Sequence, residues 1–245
     1  ADDRERKELG AHGMAEKCLA YLDKWYDRFY LYGDKPFLQM PAVLDAINKR
    51  TAKRLHIAKT PGKKRDAELS GAPKDLGAGF YPDLPSDNNT VFSHTLVDKN
   101  LQDYEKALFV VTLMNFSFGG KRVEADLCSL SGEKLGNRHT AKAGPSIGGF
   151  WGYLHSFAMA ERLLFSLWIN LYTERDISSA GAWEFGLGRP AWEEMPNNET
   201  DDYANRYKNS YMATLIALSR FVLLRDDGIY YLEGLVYPST RDGWY

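Results

Sequence analysis

Apolar residues recur every three to four positions in several stretches of the chain, and this spacing is typical of amphipathic helices. We predict helices over residues 14–32, 98–117, 156–172 and 203–218, with a shorter helical stretch within 37–48. The stretch 156–172 is strongly apolar, so we expect that helix to be buried.

Two stretches near the end of the sequence have the composition of strands, namely 219–225 and 229–237. Asp226-Asp227-Gly228 between them is a hairpin turn signal. The stretches 70–90 and 178–200 contain many turn-forming residues, and a further long loop opens at Gly119-Gly120. Together these patterns predict an α+β fold: one helix-rich mixed domain over 1–245, with long loops and a small antiparallel β element.

The composition limits the classes of protein to which the chain can belong. The 245 residues carry a formal net charge of −2, so any surface that binds nucleic acid must be locally basic. Cys18 and Cys128 lie far apart and neither has a CxxC partner, which argues against a disulfide framework or a zinc site and favours a reducing cytoplasm. No apolar run approaches the roughly 18 residues of a membrane span, so we expect no membrane partner.

Basic charge is concentrated in one segment. Residues 49–65 contain eight Lys or Arg and no Asp or Glu. Lys63, Lys64 and Arg65 within it are candidate phosphate contacts, because cationic side chains neutralise phosphates and release counterions. The alternative interpretation is a solvated surface loop.

Phe118-Gly119-Gly120-Lys121 is a second candidate for binding nucleic acid. Glycine has no Cβ, so the backbone of Gly119 and Gly120 can approach a groove wall closely, and Lys121 supplies positive charge. The alternative is a helix C-terminus at which glycine is the left-handed cap.

Thr90-Val91-Phe92-Ser93-His94 forms a third candidate. The Phe92 ring and the His94 imidazole can stack on or hydrogen-bond an unpaired base, with Ser93 between them. Alternatively, Phe92 is an anchor in the hydrophobic core.

Catalytic signatures are not visible in the sequence. The five histidines form no HExxH motif, and neither a GxSxG elbow nor a phosphate-binding glycine loop ending in Lys-Ser/Thr occurs. We therefore predict no metal, no cofactor and no enzymatic activity. Two alternatives stay open: a hydrolase built on scattered histidines and carboxylates, and a plain interaction scaffold whose basic loops are only solvated.

Six motifs occur in the order found in the CasA family, the large subunit of the type I-E CRISPR surveillance complex Cascade, and the chain resembles that family over most of its length. The motifs are Trp25-Tyr26-Asp27-Arg28-Phe29 with Lys35-Pro36-Phe37-Leu38-Gln39, then Val91-Phe92-Ser93-His94, Phe116-Ser117-Phe118-Gly119-Gly120-Lys121, Leu167-Trp168-Ile169-Asn170-Leu171, Pro190-Ala191-Trp192, and Ser219-Arg220-Phe221.

The resemblance implies a nucleic-acid-binding subunit that works beside the other Cascade subunits in the cytoplasm. Guide RNA would supply sequence readout, while the protein reads the protospacer-adjacent motif (PAM) of double-stranded target DNA. It implies that Gly119, Gly120 and Lys121 enter the minor groove, and that the loop 92–94 contacts guide RNA. It also implies recruitment of a helicase-nuclease by a subunit that is not itself a catalyst.

The sequence departs from the family pattern in two places. The glycine loop has two glycines where the family can have three, and no lysine can be placed on the later hairpin, where Arg225 is the basic candidate. The resemblance further implies an incomplete fragment of the family's large N-terminal domain, without the C-terminal four-helix bundle.

Overall fold

The computed structural model describes residues 3–49, 100–116, 130–131 and 157–235. Across these ranges the chain is helix-rich with one two-stranded antiparallel sheet, which confirms the predicted α+β class. In chain order the elements are α1 (Asp3–Lys24), α2 (42–49), α3 (Asp103–Phe116), α4 (Leu163–Ile169), α5 (Glu174–Ala180), α6 (Asp202–Lys208), α7 (Tyr211–Leu215), β1 (Arg220–Arg225) and β2 (Gly228–Glu233).

The hairpin forms where the turn signal predicts it. Phe221 lies opposite Leu232, and Arg225 lies opposite Gly228. Gly228 follows the two turn residues with φ 134°, a conformation that residues with a Cβ rarely adopt. The second strand, predicted over 229–237, spans Gly228–Glu233 in the described part of the chain, and 236–237 lie outside the described residues.

The hydrophobic core is built around this hairpin. Five of the six residues of β1 are buried, as expected for a strand that is covered on both faces. Helix α3 contributes Val110 and Met114, which are also fully buried, and the backbone N–H of Ser219 donates to the carbonyl of Met114 (3.0 Å). This bond fixes the C-terminal half of α3 against the start of β1.

The turn Lys35–Gln39 covers the edge of β1 that β2 leaves open. The backbone N–H of Met40 donates to the Val222 carbonyl (2.9 Å). The buried amide side chain of Gln39 accepts from the Leu224 N–H (2.7 Å) and donates to the Leu31 carbonyl (2.7 Å). Gln39 therefore satisfies a buried strand N–H that lies on the side of β1 away from β2.

Helix boundaries differ from the predictions in four places. Helix α1 begins at Asp3, is interrupted at Gly10 (φ 60°), and ends at Lys24. The predicted helix 203–218 is two short helices, because the backbone N–H groups of Tyr211 and Met212 donate to the loop carbonyls of Gly186 (2.8 Å) and Leu187 (3.0 Å). The helix predicted over 98–117 begins later, at Asp103. The stretch 178–200, predicted as loop, contains the end of α5.

The prediction that 156–172 is a buried helix is wrong. Within the described residues 157–172 only Leu163–Ile169 is helical, and none of its residues is buried. The polar residues inside the apolar run explain the shortening, because Asn170 accepts from the Ala158 N–H (2.8 Å) and donates to its carbonyl (2.7 Å). These bonds hold 157–160 as a separate non-helical segment beside the helix.

Candidate nucleic-acid loop and its anchors

The residues predicted to bind nucleic acid all lie outside the described residues. They are Gly119, Gly120 and Lys121 in the glycine loop, Phe92, Ser93 and His94 in the guide-RNA loop, and Lys63, Lys64 and Arg65 in the basic run. The structure does describe the framework on either side of the glycine loop, and that framework defines the candidate site.

The loop begins at a firmly held helix end. Helix α3 ends at Phe116, three positions before Gly119. Two residues earlier, the fully buried Met114 accepts its bond from Ser219, and the Asn115 side chain accepts from the Ala217 N–H (3.2 Å). The start of the loop is thus tied to the residues that lead into β1.

The chain is held again at Leu130 and Ser131. The carboxylate of Glu199 accepts hydrogen bonds from the Leu130 N–H (3.1 Å) and the Ser131 N–H (3.2 Å), both at Oε2. The Ser131 hydroxyl donates to Oε1 of the same carboxylate. Glu199 is only 3% exposed, and Leu130 packs against the hydrophobic core. We call this group of three residues the return anchor.

Hydrogen bonds hold the turn on either side of Glu199. Asp201 is the N-cap of α6, where its Oδ1 accepts from the Ala204 N–H (2.6 Å), and its Oδ2 accepts from the Asn197 N–H (2.7 Å). Burial lowers the pKa of Lys208 on the same helix, and the nearby charge of Glu199 acts in the opposite direction. Glu199 therefore lies in a turn that is held at Asn197 and at the start of α6.

Sequence reasoning missed Glu199. Its neighbours Asn197–Asp202 are all polar, which is typical of a solvated turn. The partners of its carboxylate lie 68 and 69 positions earlier in the chain, so no local pattern could reveal them.

Two family-like motifs that are distant in the sequence meet at one aromatic junction. The Trp192 ring lies 6.0 Å from the rings of both Phe29 and Phe37. Its indole N–H donates to the Tyr21 hydroxyl (2.8 Å), which donates in turn to the Glu193 carboxylate. Burial and this acceptor raise the pKa of Tyr21 to about 12. The junction is architectural, since its polar groups satisfy one another.

The model of the family CRISPR-associated protein Cse1 matches residues 2–244. The chain belongs to the Cse1 family. This family is the CasA family of type I-E Cascade, so the family predicted from the six motifs is confirmed. No curated protein and no solved structure matches the chain.

Membership of the Cse1 family makes the chain a subunit of the CRISPR Cascade complex, associated with other Cascade subunits. Within the described ranges, no group of three or more His, Cys, Asp or Glu is placed to hold a metal ion. The same part of the chain has no helix long and apolar enough to cross a membrane.

The hairpin tip of this Cse1-family chain is more acidic than basic. Arg225 is exposed at the end of β1, next to the turn residues Asp226 and Asp227. The Tyr230 hydroxyl donates to the Asp227 carboxylate (2.7 Å), which directs that carboxylate back along β2. Two carboxylates beside one guanidinium form a poor phosphate site, so Arg225 is less suited to DNA contact than a free lysine would be.

Proposed function

We propose that this chain reads the PAM of target DNA for Cascade. In this proposal Gly119 and Gly120 enter the minor groove and Lys121 contacts a groove edge or phosphate. The minor groove offers a degenerate pattern of donors and acceptors, which suits a permissive motif. Membership of the Cse1 family supports this assignment.

The observation that carries the proposal is the framework on both sides of the glycine loop. The chain is held by the core at Met114 before the loop and by Glu199 after it. A loop fixed at both ends loses less conformational freedom when it binds, so more of the contact energy is expressed as affinity. Such a framework is what a backbone probe of a groove requires.

We further propose that the chain contacts guide RNA through Phe92, Ser93 and His94, and phosphates through Lys63, Lys64 and Arg65. Recruitment of the helicase-nuclease belongs to the same proposal. These roles follow from the family resemblance and from the chemistry of stacking and charge neutralisation.

The test is Gly120→Leu in the reconstituted complex, with binding to PAM and scrambled duplexes compared. We expect PAM discrimination to be lost because a bulky side chain blocks groove entry, while guide-RNA assembly and the melting temperature stay close to wild type. Lys121→Ala should weaken binding less, by about 1 kcal/mol, since a single cationic contact has no unique geometry.

The helix-cap alternative predicts a different result for the same variant. It predicts a loss of stability of about 1 kcal/mol, with assembly and DNA binding falling together. A Gly120→Leu protein that melts normally and still separates PAM from scrambled duplex contradicts the proposed function.

A further inference from the structure

We propose that Glu199 is a positioning residue for PAM reading: its carboxylate fixes Leu130 and Ser131, and so sets where the chain returns to the core after the glycine loop. The inference deepens the proposed function and rests on it. Glu199 itself is not placed in contact with DNA.

A buried carboxylate is costly unless its oxygens are satisfied. The oxygens of Glu199 are satisfied by the other two residues of the return anchor. Its Oε2 accepts from the backbone N–H groups of Leu130 and Ser131, and its Oε1 accepts from the Ser131 hydroxyl. An ionised carboxylate only accepts hydrogen bonds, so its chemistry matches a cluster of three donors. The anchor is therefore specific in chemistry as well as in position.

The anchor bounds a short length of chain. Residues 117–129 lie between the end of α3 at Phe116 and the anchored Leu130, and they include Gly119, Gly120 and Lys121. Releasing one end of such a segment increases the number of conformations that must be given up when DNA binds. We therefore expect loss of the anchor to weaken PAM binding with no direct DNA contact removed.

Residues of α6 and its cap lie near Glu199 in the chain and are held by contacts of their own. The pKa of Lys208 is lowered by burial and is raised in part by the Glu199 charge. The neighbouring Asp201 caps α6 through Ala204. A structural loss in this region is thus separable from loss of the anchor, because Asp201 supports α6 and has no hydrogen bond to Leu130 or Ser131 among the described contacts.

Four variants separate the contacts of the anchor from the cap of α6. Glu199→Ala removes the carboxylate that accepts from Leu130 and Ser131. Glu199→Gln keeps one oxygen that can accept from both backbone N–H groups, while its NH2 group can donate to the Ser131 hydroxyl. Ser131→Ala removes the hydroxyl that donates to the carboxylate and keeps the backbone N–H. Asp201→Ala is the matched control, because it weakens the helix cap two positions away and leaves the anchor in place.

Two measurements are made on the full chain in the reconstituted complex: hydrogen exchange of the Leu130 and Ser131 amides, and affinity for PAM and scrambled duplexes. In Glu199→Ala we expect both amides to exchange at least about tenfold faster and PAM affinity to fall about fivefold to tenfold. Glu199→Gln should recover much of both, and Asp201→Ala should leave the two amides protected.

The outcomes that overturn the inference are distinct from failure of the proposed function. If the Leu130 and Ser131 amides stay protected from exchange in Glu199→Ala, the inference that Glu199 holds them is wrong. If the two amides of Glu199→Ala are released but its PAM affinity equals that of Asp201→Ala, the positioning role is wrong. In that case the proposed function still stands, provided that Gly120→Leu abolishes PAM discrimination. If Gly120→Leu retains discrimination, the proposed function and the positioning role both fall.

Discussion

The hairpin core and the outer helical region differ sharply in burial, although β1 and α4 are both rich in apolar residues. We define the outer helical region as α1, α4 and α5. In the hairpin core Phe221 and Leu232 are fully buried, whereas Leu163 and Leu167 of α4 are 75% and 54% exposed. The difference teaches that an apolar sequence identifies a helix or strand but does not identify the surface that covers it.

The contacts that hold the two regions are of different kinds. The hairpin is enclosed by apolar side chains and has partners along both edges of β1. The outer helical region includes conspicuous polar contacts, in which the Arg6 guanidinium donates to the Leu171 carbonyl (2.8 Å) and lies 5.5 Å from the Trp168 ring centroid. Truncation of an apolar side chain should therefore lower stability strongly in the hairpin core and weakly in the outer helical region.

The largest expected effect is on stability, and it comes from comparing an apolar side-chain truncation in the hairpin core with one in α4. Phe221→Ala should lower the free energy of unfolding by about 3–5 kcal/mol, because it leaves a cavity beneath both strands. Leu163→Ala is the matched control in α4 and should stay within about 0.5 kcal/mol of wild type. Urea denaturation of the isolated chain measures both, and equal losses would remove the distinction between the two regions.

The next prediction, with a smaller loss of stability, separates the cost of steric crowding at a glycine from the cost of its backbone conformation. A Cβ at Gly234, beside the hairpin, would lie 1.9 Å from the Leu218 carbonyl oxygen and 2.6 Å from the Arg220 amide nitrogen. Gly234→Ala therefore forces the backbone to move and should cost about 2–3 kcal/mol.

The matched variant for Gly234 is Gly181→Ala, at the end of α5. Gly181 has φ 64°, but a Cβ there would meet nothing within 4 Å. Only backbone strain acts at that position, so we expect a loss of about 1 kcal/mol. Thermal melts rank the two variants, and a larger loss at Gly181 would show that the hairpin backbone yields more easily than its packing suggests.

The same contrast explains how far the sequence could predict the fold. The hairpin was predictable because its turn signal and its strands are adjacent in the chain. Burial of α4 was predicted wrongly, because periodicity does not show which polar contacts interrupt a run, such as those of Asn170. The capping box of α5 has a visible signature, Thr173-Glu174-Arg175-Asp176, which the prediction of a loop over 178–200 did not use.

The candidate site was predictable only in part. Gly119–Lys121 and the other proposed contact residues are visible as local patterns, and their roles stay predictions because those residues lie outside the described ranges. Glu199 depends on Leu130 and Ser131, which are brought to it by the fold alone. Local chemistry can thus suggest which residues touch a ligand, whereas the residues that position them require tertiary structure.

The smallest expected effect is a pH dependence confined to the outer helical region. The pKa of Asp176 is lowered because its carboxylate accepts from the Thr173 backbone N–H (2.8 Å) and hydroxyl (2.7 Å), and the positive charges of Arg6 and Arg175 act in the same direction. An aspartate whose pKa is lower in the folded chain stabilises the fold above its unfolded pKa of about 3.9. That contribution is lost as the pH falls through the folded pKa, when the proton removes the acceptor of the capping box.

Acid should therefore loosen the start of α5 before it affects the hairpin core, whose buried side chains are mostly apolar. Carboxyl NMR titration should place the pKa of Asp176 below that of a free aspartate, and Thr173→Val should move it upward, since the variant removes the hydroxyl and keeps the backbone N–H. Asp176→Asn should flatten the acid limb of Ile177 amide exchange and leave the amides of β1 unchanged. An ordinary pKa at Asp176, or an acid limb that Asp176→Asn does not alter, would mean that the capping box does not couple this helix to pH.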